Sequence, residues 1–194
     1  MFKKLAVPFV ALAVGAAGSF LLFGPEGPAY AQMGAHGMGM GHGHGADGQH
    51  DEVNMPGLRG EDATNEESAE LAVMFRNFQS IDRTAENLPN GIRTVTSSSD
   101  PEVFAKLVSH VTGMIQRVEE GRDPKIFIQS PTLDIFFVKG DAIETDIELT
   151  ETDIIVTQTS DDPEMVEALQ THAAEVTDMA DRGMAAVHDR MMRR

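Results

Sequence analysis

Ile143, Thr145, Ile147 and Leu149 alternate with Glu144, Asp146 and Glu148. That period of two marks a half-buried antiparallel strand. Thr150 to Asp153 supplies a turn, and a return strand runs from Ile154 to about Thr159. Leu88-Pro89-Asn90-Gly91 is the matching turn upstream, with its return strand from Ile92 to about Ser97. After each hairpin the apolar period lengthens to that of a helix. Asp100-Pro101-Glu102 and Asp162-Pro163-Glu164 each offer an N-cap aspartate, a proline at the first helical position and an acid in the first turn. Short helices precede the hairpins, from Glu70 to Phe78 and from Thr132 to Lys139. The second of these has Ser130 to cap it, Pro131 to open it and Gly140 to end it.

The two halves of this pattern repeat at a constant offset of 62 positions. Ile92, Ser98, Asp100, Pro101, Glu102, Leu107, His110 and Gly121 recur as Ile154, Ser160, Asp162, Pro163, Glu164, Leu169, His172 and Gly183. The register holds upstream, where Ser68, Leu71, Phe75, Ile81 and Glu86 match Ser130, Leu133, Phe137, Ile143 and Glu148. An unbroken offset of this kind predicts an internal repeat. The expected fold class is α+β: two tandem helix–hairpin–helix repeats, about 68–121 and 130–183, forming a four-stranded antiparallel sheet covered by helices around a pseudo-twofold axis. Neither unit alone buries much core, so residues 66–194 are expected to make one domain.

The N-terminal third has a different texture. Lys3 and Lys4 precede an apolar run from Leu5 to Phe23, Pro25 and Pro28 break it, and Ala29-Tyr30-Ala31 has the small-x-small form that signal peptidase reads. Residues 1–31 are therefore expected to be a signal peptide, with an uncleaved anchor as the alternative, and the mature protein to be periplasmic in a Gram-negative source. No second apolar stretch predicts a membrane span. Residues 32–65 are glycine-rich and without apolar periodicity, which predicts a flexible segment. They carry His36, Met38, Met40, His42, His44 and His50. Imidazole suits Cu(II) and thioether selects Cu(I), so this mixed set without thiols predicts a copper site. A solvated low-complexity linker is the alternative.

Charge and composition narrow the classes. A formal charge of −16 opposes non-specific nucleic-acid binding. The absence of cysteine excludes disulfides, iron–sulfur clusters and covalently attached haem c. Val103, Leu107, His110 and Met114 share one helical face, as do Met165, Leu169, His172 and Val176. If the repeats pack about a twofold, His110 and His172 approach one another and, with Met114, form a candidate cofactor site for a metal or haem iron. The ordinary alternative is a core histidine bonded to a backbone carbonyl or to a hydroxyl such as Ser109 or Thr171. After Gly183, which either kinks or stops the helix, Met184, His188, Met191 and Met192 are expected to form the apolar stripe of an amphipathic end. No nucleophile–base order, phosphate loop or H-E-x-x-H pattern accompanies any of these groups, so no catalytic residue is assigned.

The stretch Thr157-Gln158-Thr159-Ser160-Asp161-Asp162-Pro163-Glu164, continued by Leu169-Gln170-Thr171-His172-Ala173, resembles a motif of poorly characterised exported bacterial proteins. Asn87-Leu88-Pro89-Asn90-Gly91-Ile92-Arg93-Thr94-Val95-Thr96 is similar to their hairpin. The resemblance implies an ancient repeated architecture and transfers no catalytic residue. The functional expectation is an exported, non-enzymatic metal-binding protein handling copper, with an envelope protein as a possible partner. The alternatives are a haem-binding or redox module using His110 and His172, and a small-ligand or protein-interaction module.

Overall fold

The computed structural model describes residues 55–193. The leader and the ligand set His36, Met38, Met40, His42, His44 and His50 lie outside the described residues. The fold is mixed α+β, with one four-stranded antiparallel sheet and five helices. In chain order these are α1 (Asn65–Arg76), β1 (Ile81–Leu88), β2 (Gly91–Ser98), α2 (Pro101–Glu119), α3 (Asp134–Val138), β3 (Glu144–Leu149), β4 (Asp153–Thr159), α4 (Pro163–Arg182) and α5 (Met184–Met192). Strand order is β1-β2-β4-β3, so the return strands of the two hairpins pair at the centre.

Local signals explain where elements begin. Asp100 Oδ1 accepts from the backbone N–H of Glu102 at 2.8 Å, and Asp162 Oδ1 accepts from Glu164 at 2.9 Å, each with proline opening the helix. The first helix starts earlier than its apolar residues suggest. Thr64 and Glu67 form a reciprocal capping box, which satisfies two end donors and extends α1 back to Asn65. The short helix before the second hairpin is a 3-10 turn, Pro131–Leu133, running into the five-residue α3.

Gly183 stops α4. Its φ of +58° and ψ of −138° lie in a region essentially confined to glycine, and an added Cβ would stand 2.8 Å from the Phe78 ring. The chain turns there and starts α5. The buried face of α5 is Ala186 and Val187, while His188, Met191 and Met192 are exposed. The stripe expected from Met184, His188, Met191 and Met192 is thus replaced by a smaller one, because α5 docks through Ala186 and Val187, with Met184 beside them, and turns the other three outward.

One face of the sheet carries the core. Ile92, Thr94, Thr96, Ile154 and Val156 are buried on it, whereas Asp82, Glu86, Glu144, Asp146 and Glu148 point to the solvent side. Met165, Leu169 and Ala173 of α4 pack on Ile92 and Phe136. Met55 and Leu58, which the sequence pattern groups with the N-terminal segment, pack with Phe75, Ile128 and Val187. Gly60 also bridges to Ile126, fastening this lead-in to the connector between the hairpins.

The long helices sit differently on the sheet. α4 lies close over β1 and β2 along its length. α2 is anchored by Val103 and Leu107 against Ile154 and Val156, and its next inward residues, His110, Val111, Met114 and Ile115, are only half-buried. That difference opens a space between α2 and the sheet. Among the described residues no helix is long and apolar enough to cross a membrane.

Candidate ligand chamber

The space beneath α2 is a partly enclosed chamber of about 310 Å³. Its helical wall is apolar, with Leu107, Val111, Met114 and Ile115 from α2 and Val176 and Met179 from α4. Its sheet floor is more polar. Arg83, Thr94, Thr96 and Gln158 occupy inward positions there, in phase with Ile81, Ile92 and Val156. The predicted cofactor residues His110, His172 and Met114 all border this one chamber, and Met74 and Met179 add two further thioethers to its lining. Among the described residues no three histidine, aspartate or glutamate side chains gather as a metal-holding group.

Desolvation of the half-buried His110 ring pushes its pKa down to about 4; the Glu67 charge works against that shift and the His172 charge adds to it. The ring is therefore neutral at pH 7. Its Nδ1 is shut away from solvent with no hydrogen-bond partner. No bond to Ser109 or to a backbone carbonyl holds it, so the ordinary account of a core histidine does not apply. The residue borders the chamber.

His172 is held differently. Its ring meets Phe136 edge-on with centroids 5.4 Å apart. Its Nδ1 faces Glu175 Oε2 at 3.9 Å, too long for a hydrogen bond, and both atoms are buried without a partner. Glu175 in turn accepts from the Ser130 hydroxyl at 2.7 Å. Burial works against the Glu175 charge, but His172, Ser130 and Arg190 outweigh it and hold the carboxyl below its usual range. Ser130 bonds to the carboxylate and not to the imidazole, so the three residues do not form a nucleophile–base relay.

Two guanidinium groups near the chamber stand in contrast. Arg117, 3% exposed, is matched by acids: Nε donates to Glu67 Oε1 at 2.5 Å, Nη2 to Glu67 Oε2 at 2.9 Å, and Nη1 to Asp62 Oδ2 at 2.9 Å. Arg83 on β1 has no such match. Its Nη1 donates to Thr96 Oγ1 at 2.6 Å, its Nε is buried without a partner, and among the described residues no carboxylate pairs with it. Burial alone pushes its pKa down to about 10. Arg83, Thr94 and Thr96 escaped the sequence reading. The available signal was their phase, since each falls two or four positions from an apolar inward residue of its strand.

The chain matches no family model, and no curated protein or solved structure is similar to it at a meaningful level.

Proposed function

We propose that the protein is an exported binding protein whose core takes up one small, mainly apolar molecule in the chamber between α2 and the sheet. The volume of the chamber carries this reading. A single metal ion sits about 2.0–2.1 Å from its nitrogen ligands and needs almost no space. At 310 Å³ the chamber has room for roughly ten water molecules and matches the lower end of small-molecule pockets, about 300–1,000 Å³. Apolar walls give affinity, and the two imidazoles and the polar floor give orientation. Among the described residues lining the chamber, no hydroxyl is hydrogen-bonded to an imidazole that could activate it as a nucleophile.

The test uses the mature chain and the neutral dye N-phenyl-1-naphthylamine. Its fluorescence is expected to rise on binding, with one dye per chain. Met114→Trp fills the chamber and places the only tryptophan of the protein in its wall. It is expected to weaken the dye by about tenfold or more. Unchanged dye binding by a folded Met114→Trp protein would remove the chamber from the proposal.

A haem-type ligand is the second reading, favoured by two imidazoles and Met114 bordering one apolar space. A Soret shift on adding haem, lost in His110→Ala and in His172→Ala, is its signature.

Copper belongs to the separate N-terminal tract in this proposal. His36, Met38, Met40, His42, His44 and His50 would collect the ion outside the cytoplasm, in the periplasm of a Gram-negative source. Replacing the four histidines by alanine in the full mature chain is expected to abolish most calorimetric copper uptake. Truncation is a poorer test, because Met55 and Leu58 belong to the core.

The halves of the core are further proposed to be copies of one unit. In support, Thr94 lies opposite Val156, 62 positions on, and the two hairpins pair in matching registers. The looser seat of α2 then marks where one copy departed to make the chamber.

A further inference from the structure

We infer, building on the chamber reading above, that the ligand is an amphipathic acid: an apolar body ending in a carboxylate that Arg83 receives beside Thr96. A guanidinium has five N–H donors and cannot shed its charge at neutral pH. Arg83 uses one of them, on a neutral hydroxyl, although it lies partly buried against an apolar space. The same fold supplies two carboxylates to Arg117. Among the described residues no acid is placed against Arg83.

The balance of charge in the chamber points the same way. Among the described residues, Glu67 is the acid in its lining, and Arg117 and the Thr64 N–H already engage it. Arg190 brings a second guanidinium to the wall, donating to the Ile128 carbonyl at 2.7 Å. Among the described residues of the lining a cationic ligand would find no open acid, and a neutral one would leave the Arg83 charge unanswered. A carboxylate meets the planar fork of a guanidinium with two parallel hydrogen bonds. Thr94 and Gln158 continue the polar floor past Thr96, while Val111 and Met114 face the apolar body from the helical side.

The test compares decanoate, 1-decanol and decyltrimethylammonium as competitors for bound N-phenyl-1-naphthylamine on the mature chain. Decanoate is expected to displace the dye at about one-tenth the concentration of decanol or less, and the cation to be weakest. Arg83→Gln is expected to bring decanoate within about threefold of decanol, each competitor being referred to the dye affinity measured on that same variant. Arg83→Lys, which keeps the charge, is expected to retain the preference for the acid. Equal displacement by decanoate and decanol in the unaltered protein overturns the inference and leaves the chamber reading standing. So does a folded Arg83→Gln protein that keeps the full preference. If the dye does not bind at all, the chamber reading fails and this inference falls with it. Should Arg83→Gln not fold, the ranking of the three competitors on the unaltered protein decides alone.

Discussion

Acidification from pH 7 to pH 4 is expected to remove about 3 kcal/mol of stability through His110 alone. The folded protein keeps this imidazole neutral down to about pH 4, whereas in the unfolded chain it protonates near its ordinary value of about 6.5. Between those values the unfolded state binds the extra proton, so stability rises with pH there and is lost as pH falls. Two and a half pH units at about 1.4 kcal/mol each set the magnitude. Above about pH 6.5 the contribution is constant. Urea unfolding followed from pH 8 to pH 4 reads it directly. His110→Leu is expected to flatten the segment between 6.5 and 4. A profile in that segment that is the same with and without the imidazole would show that His110 does not resist protonation. Ligand binding shares the window, because a protonated His110 places a charge beside the apolar wall.

Glu67→Ala is expected to cost about 3 kcal/mol in the same unfolding measurement at pH 7. Glu67 has two structural duties. It closes the capping box with Thr64 at the start of α1, and it receives two hydrogen bonds from Arg117. Removing it leaves a guanidinium that is 3% exposed with only Asp62, which is itself half in solvent, and with backbone carbonyls. Because the carboxylate is partly exposed, the expected cost stays at the low end for a broken buried pair. Glu67→Gln keeps the cap and loses the charge, so it is expected to fall between the unaltered protein and Glu67→Ala. The pH dependence separates this effect from that of His110. The hydrogen bond from Arg117 holds the Glu67 carboxyl below its usual range against burial, so its contribution is present above about pH 4.5 and drains away below it. His110 acts over the window above that.

Much of the architecture was legible in the chain because it follows from local chemistry. Alternation marked the strand that became β3, and aspartate–proline pairs marked α2 and α4 to the residue. The start of α1 was missed although its signal was present: Thr64 and Glu67 have the capping-box spacing, but no apolar residue near them drew attention to it. The candidate site was legible in part. Phase put His110, Met114 and His172 on inward helix faces, and they do border one space. Arg83 was invisible as a site residue, since a charged side chain on a strand reads as solvent-facing until the strand has a neighbour and a face.

What the sequence by itself determined is the two hairpins, the aspartate caps of α2 and α4 and the inward faces of those two helices, because each depends on residues within a few positions of one another. Only the tertiary structure decided that α2 stands away from the sheet while α4 lies on it. It also decided that Arg117 is answered by acids and Arg83 is not, and that Met55 and Leu58 complete the core. Those outcomes depend on packing between different elements of the chain, where burial and charge pairing are set by the whole fold rather than by immediate neighbours in sequence.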